Sequence, residues 1–288
     1  PLGRLGARRE PFTAMASSSS GESQSYRRLE DTQTTRLYRV WEADNRFCFG
    51  GRMMLGPALG HLVFVILLNS GSMATFVAVV VPGLPQPALL LFAVSSSVLV
   101  LAVFLFLGCS ALVEPGILPR QSVTPAISRH YMQQPDPLLR WKYCTTCNTY
   151  RPPRAKHCSY SDNCIIRFDH FCPWVGNSVG HRNYRYFFLF VACSTLQSCV
   201  IGAGCVVDMV HHGEREGHHG LSVVTHGAPE RPASLVLALL SLLVFLLVCP
   251  LLVYHAYLIS TNQTTNEHLN EVFRGRANPF RRGCCANW

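Results

Sequence analysis

The sequence predicts an all-α membrane protein with four transmembrane helices and a small Cys-rich domain between helices 2 and 3. Three observations carry this. Of 288 residues, 49% are hydrophobic and only 14% charged, whereas soluble domains carry about a quarter charged. No Asp, Glu, Lys or Arg falls between Arg52 and Glu114, between Arg185 and Asp208, or between Arg231 and Glu267. Between the second and third apolar stretches, residues 144–183 crowd Cys and His into one polar loop.

In chain order, residues 1–33 are polar, Ser/Arg-rich and read as disordered. The chain begins at Pro1, and Met15 is a candidate start. Residues 34–60 read as a cytosolic pre-membrane segment. A span needs about 20 apolar residues, so the first charge-free gap holds two, within 61–113. Pro82, Gly83, Pro85 and Pro87 break it at a tight turn. Helices are expected near 61–81, 88–113, 186–208 and 233–258. A Cys-rich domain at 114–185 separates the pairs. A lumenal loop at 209–232 divides the last two spans of 186–258, and a tail runs over 259–288.

Basic residues set the orientation. Nine lie at or before Arg52, ten within 114–185 and four after Ile259, leaving only Arg215 and Arg231 of the 25 elsewhere. Both termini and the Cys-rich domain are therefore expected in the cytosol. The net charge of +9 follows from that topology and attraction to membrane lipid; it implies no nucleic-acid partner. His211, His212, His218, His219 and His226 crowd the lumenal loop, which reads as mobile. No internal repeat is visible.

In a reducing cytosol clustered Cys residues read as metal ligands or catalytic groups. Cys144-x2-Cys147, with His157 and Cys164, has the types and spacing of a tetrahedral zinc site. The intervening polar turn has no core of its own, so metal would supply its stability. Asp169, His170 and Cys172 follow: a carboxylate to orient an imidazole, an imidazole to take a proton, and a thiol nucleophile. Adjacent residues of a helix or strand point apart, so this set is expected on an irregular turn, favoured by Pro173. Spacing alone also leaves Cys172 open as a further zinc ligand.

The residues RPPRAKHCSYSDNCIIRFDHFCPWVGNSVGHRNYRYFFLF resemble the Cys-rich domain of the DHHC protein S-acyltransferases. Glu114-Pro115-Gly116 resembles the family's Asp-Pro-Gly motif. Thr264-Thr265-Asn266-Glu267 fits its Thr-Thr-x-Glu motif, and Asn287 sits at the asparagine of its C-terminal element. The stretch before the first span looks most like plant and green-lineage members. The resemblance implies a palmitoyltransferase of the endomembrane system (Golgi, ER or plasma membrane). It would use palmitoyl-CoA or another long-chain acyl-CoA and pass the acyl group, by a Cys172 acyl-enzyme, to protein substrates with cytosolic cysteines. It implies His170 as base, Asp169 as its orienter and Thr265 as support for Asp169. An accessory subunit fits this picture. Arg154, Arg182 and Arg185 are candidate contacts to the CoA phosphates. The other reading is a catalytically weak relative that binds lipid or partners as a scaffold.

The resemblance also implies two zinc sites. The first would be Cys144, Cys147, His157 and Cys164. The second would be Cys158 with positions 161, 171 and 178, which here hold Ser161, Phe171 and Ser178. One zinc ion is therefore expected. Cys158 would remain as a partly buried thiol, and Phe171 would fill the vacated site. Cys284 and Cys285 are candidates for self-acylation.

Overall fold

The computed structural model describes residues 37–288 apart from 221. The expectations for residues 1–33 and for Met15 lie outside the described residues. Residues 37–41 hold a single 3-10 turn, Leu37–Arg39; the account below concerns Glu42–Trp288.

After a small hairpin, β1 (Arg46–Cys48) with β2 (Met53–Leu55), come the first two long helices. α1 (Leu59–Thr75) passes through a π-helical turn at Phe76–Val80 and a 3-10 turn at Val81–Gly83. α2 is Gln86–Leu112. Pro85 precedes it and Pro87 lies in its first turn, where a missing N–H costs nothing. After β3 (Ile117–Leu118) and one turn, α3 (Arg129–Met132), the Cys-rich segment follows. α4 (Tyr184–Arg215), α5 (Ser222–Glu230) and α6 (Pro232–Thr261) come next. Asn262, in the left-handed region, ends α6. The short α7 (Thr265–Leu269) and α8 (Cys284–Asn287) finish the chain.

Four helices, Leu59–Gly83, Gln86–Leu112, Tyr184–Arg215 and Pro232–Thr261, are long and apolar enough to cross a membrane. The most apolar 18-residue window of α4 is 39% buried, against 11% in the other three spans, so α4 is the central helix, packed on both α2 and α6. The others turn Leu67, Leu91, Leu101, Leu246 and Val253 outward, as suits a lipid-facing surface.

Three expectations need correction. The third span does not stop at 208: α4 runs to Arg215. Asp208 does not end it because its carboxylate is fully buried and accepts hydrogen bonds from Arg231 (Nε, 3.0 Å) and Ser234 (Oγ, 2.5 Å). Nor is 209–232 a plain loop. It contains α5, His212 bonds Glu230 at 2.7 Å, and the His218 and His226 rings stack at 4.1 Å.

The chain is also not all-α. The Cys-rich segment folds as three antiparallel hairpins of one design: β4–β5 (Lys142–Cys144, Thr149–Arg151), β6–β7 (Lys156–Cys158, Asn163–Ile165) and β8–β9 (His170–Cys172, Asn177–Val179). They start 14 residues apart, at Lys142, Lys156 and His170, with identical register. Each turn ends on a left-handed residue, Asn148, Asp162 or Gly176, the types that tolerate that conformation. Cys144, Cys158 and Cys172 are the equivalent last residues of the three leading strands. A repeat is therefore present in the structure where the sequence shows none.

Candidate active site

The four atoms offered by Cys144, Cys147, His157 and Cys164 lie within 4.8 Å of one another. The first two hairpins bring them together. Cys144 ends β4 and Cys147 sits in its turn, while His157 and Cys164 are directly paired across β6 and β7. His157 Nδ1 lies 3.4 Å from Cys147 Sγ and 3.8 Å from Cys164 Sγ. Its Nε2 faces Asp162 Oδ1 at 3.3 Å. A carboxylate on the far nitrogen is what orients a metal-bound imidazole. Burial, then the neighbouring Cys144 and Cys147, push the Cys164 thiol far above its usual range, so a cation must displace protons to bind. Three sulfurs and one nitrogen, closely packed, fit zinc.

The second set is different. Cys158, Ser161, Phe171 and Ser178 occupy the same hairpin positions one repeat later. Ser161 and Ser178 hydroxyls bond each other at 3.1 Å, and Ser178 Oγ donates to Cys158 Sγ at 3.4 Å. Cys158 is fully buried rather than partly so, at 3% exposure. Phe171 does not fill this pocket; it stacks on Tyr160, centroids 4.9 Å apart. The interior is small and polar, so hydroxyls close it by hydrogen bonding while the large ring packs outside. This donor set does not fit a metal.

His170 and Cys172 stand on strand β8 rather than on an irregular turn, and only Asp169 lies in the irregular backbone just before it. Alternation along β8 puts His170 and Cys172 on one face and Phe171 on the other. Asp169 Oδ2 lies 2.6 Å from His170 Nδ1. Burial disfavours the charged imidazole, but the Asp169 hydrogen bond, the Cys172 partner and the Asp169 charge outweigh it, raising His170 to about 9. Burial likewise opposes ionisation of Asp169, yet His170 and Thr265 hold its pKa below the usual range.

Thr265 binds both carboxylate oxygens, its N–H donating to Oδ1 (2.8 Å) and its Oγ1 to Oδ2 (2.7 Å). Thr264 caps α7 in a reciprocal capping box with Glu267. Glu267 accepts two 2.7 Å bonds from Arg154, whose side chain is 10% exposed and stacks over Phe280 at 4.6 Å. This corrects the expectation for Arg154: its guanidinium is committed to Glu267 and cannot meet a phosphate. Arg182 pairs with Glu114 and stays 58% exposed, and Arg185 lies exposed over Tyr186. Glu114 also accepts from the N–H groups of Gly116 and Ile117. Asn287 Nδ2 donates to the Ser260 carbonyl at 2.9 Å, fastening α8 to α6. Cys284 and Cys285 are exposed.

Cys172 lines a cavity of about 500 Å³ among α1, α4 and α6, walled by Phe64, Leu68, Trp174, Val191 and Leu247. Asn69 and Gln197 line it too and bond each other at 3.3 Å. Sequence reasoning missed both residues. It also missed His255 of α6, which lies beside Asp169 and His170. The signal was available: ionisable or strongly polar residues inside a span are expensive and mark function.

A family model described as DHHC palmitoyltransferase matches residues 139–272. The chain is 34% identical to protein S-acyltransferase 8 of Arabidopsis thaliana over 285 residues, covering 88% of this chain and 68% of that one. It is 35% identical to palmitoyltransferase ZDHHC9 of Danio rerio over 287 residues, covering 88% and 72%. Probable protein S-acyltransferase 6 of Arabidopsis thaliana is 34% identical over 276 residues, covering 88% and 66%. Those matches span the hairpins, the paired Asp169 and His170 and the four long helices alike, and on them the chain belongs to the DHHC family of membrane protein S-acyltransferases.

Proposed function

We propose that this palmitoyltransferase works through Cys172, with His170 as its base and Asp169 as the group that orients and charges that base. The observation that carries the reading is His170: held by Asp169 at 2.6 Å and partnered with Cys172, the residue that lines the cavity.

In the first half-reaction His170 takes the thiol proton and the Cys172 sulfur attacks the acyl-CoA thioester carbon. The carbon–sulfur bond to CoA breaks, and the imidazolium returns its proton to the departing thiolate. In the second, a substrate cysteine gives its proton to His170 and attacks the acyl-Cys172 thioester, and Cys172 leaves. The acyl chain would lie in the cavity, where burial contributes about 0.8 kcal/mol per methylene, on the order of 10 kcal/mol for a palmitoyl tail. Arg185, and Arg182 if it exchanges Glu114, are the remaining candidates for CoA phosphates.

Cys144, Cys147, His157 and Cys164 would hold one zinc ion, which would tie β4–β5 to β6–β7 and so brace the hairpin bearing Cys172. The basic-residue distribution supports cytosolic termini and substrates with cytosolic cysteines, in the endomembrane system.

The test is incubation of purified protein with alkyne-tagged palmitoyl-CoA, with Cys284 and Cys285 changed to Ser. A hydroxylamine-sensitive label that disappears in Cys172→Ser is expected. A folded, zinc-loaded protein that takes no label would instead favour a lipid- or partner-binding scaffold.

A further inference from the structure

His255 has no role in the chemistry above, yet it is 1% exposed and sits within the catalytic cluster. One of its nitrogens lies within 4.8 Å of both an Asp169 oxygen and a His170 nitrogen. Its Nδ1 is 3.0 Å from the Tyr184 hydroxyl, in the first turn of α4. The rings of His170, Phe187 and His255 form a closed triangle. Centroids are 5.0 Å apart for His170–Phe187, 4.9 Å for Phe187–His255 and 5.9 Å for His170–His255. The first two contacts are edge-on, the arrangement that aromatic pairs prefer.

Asp169 fixes one nitrogen of His170 but leaves its ring free to swing about that bond. The triangle removes this freedom from the membrane side. We propose that His255, anchored by Tyr184, is a positioning residue for His170: it holds the base against Cys172 and keeps a polar neighbour beside the charged imidazole. This rests on the reading of His170 as the base. The charged and titratable groups around the pair are Asp169 and Cys172 on the hairpin side, Arg167 before it, Tyr184 on α4, and Tyr254 on α6, whose hydroxyl is 3.0 Å from His268 Nδ1.

Replacing His255 by an apolar ring leaves the imidazolium less well solvated, so His170 should give up its proton at lower pH. The experiment follows the rate of hydroxylamine-sensitive labelling of the full chain by alkyne-tagged palmitoyl-CoA against pH. It compares wild type, His255→Phe, His255→Asn, Tyr184→Phe and Cys172→Ser. His255→Phe should slow labelling roughly tenfold and move the alkaline limb down by about one pH unit, a change worth about 1.4 kcal/mol. His255→Asn keeps a polar atom near the Nδ1 position and should recover most of both. Tyr184→Phe should shift the limb in the same direction, and reads the same link if His255→Phe does not fold. A slower reaction with an unmoved limb in His255→Phe and Tyr184→Phe would mean mere packing and would overturn the proposal alone. Absence of label on wild type, or label surviving in Cys172→Ser, would remove the underlying reading and the proposal with it.

Discussion

Thr265 holds Asp169 by both oxygens, through its backbone N–H at 2.8 Å and its hydroxyl at 2.7 Å, across 96 positions of sequence. A carboxylate so held has no rotational freedom left, and it fixes the position of the one His170 nitrogen that it bonds.

Removing the Asp169 charge should therefore act on His170. Asp169→Asn takes away the main cause that lifts His170 to about 9. Acyl-enzyme formation should fall about 100-fold or more, and its alkaline limb should move down. The stability sign follows. A raised histidine contributes fully below the unfolded imidazole range near 6.5 and loses that contribution as pH climbs through about 9. Asp169, held low, contributes above the usual carboxylate range and loses its share as pH falls through its lowered pKa. Thermal unfolding at several pH values should show both losses in wild type and neither in the Asn variant.

Arg154→Ala should damage stability rather than CoA affinity. It leaves Glu267, whose side chain is 9% exposed, without its cation, a change that costs about 3–5 kcal/mol in buried pairs. The KM for acyl-CoA should stay near wild type in the fraction that folds. Arg185→Ala should do the reverse, raising KM with little change in melting temperature.

Metal analysis of purified protein should give one zinc per chain. Cys144→Ser should lose it and the order of the hairpins; Cys158→Ala should keep it. Because the buried Cys164 thiol is pushed upward, the ion should be released as pH falls. Combining Ser161→Cys, Phe171→His and Ser178→Cys should raise the count to two, since the register of β8–β9 repeats that of β6–β7. A count that stays at one would show that the third hairpin cannot take a ligand geometry.

The Asn69–Gln197 pair should limit acyl-chain length. Gln197 lies ten positions beyond Phe187 on α4, about 15 Å further along the helix at 1.5 Å per residue. Gln197→Ala should shift preference toward longer acyl-CoA by about fourfold per added methylene, from 0.8 kcal/mol each. Competition between tagged acyl-CoA of different lengths measures this directly.

The four spans were legible because charge is costly in a bilayer and its absence is easily read. The end of α4 was not, because Asp208 is neutralised by Arg231, the residue that joins α5 to α6. The hairpins escaped notice because three-residue strands are too short to show alternation. Only Cys144, Cys158 and Cys172 mark their repeat. Asp169, His170 and Cys172 were visible as a group because they are neighbours in sequence. Arg154 was misread because its partner Glu267 lies 113 positions away, and His255 was passed over because neutral imidazoles do not interrupt a charge-free window.

The clamp on Asp169 arrives late. Thr265 follows both of the last two spans, so a nascent chain carries the thiol long before the donors that order its base have been made. On the proposed chemistry the protein therefore has a built-in interlock. Copies cut short, or stalled before their final helix is threaded, stay unarmed amid the acyl donors around them, and reactivity is the last property the chain acquires.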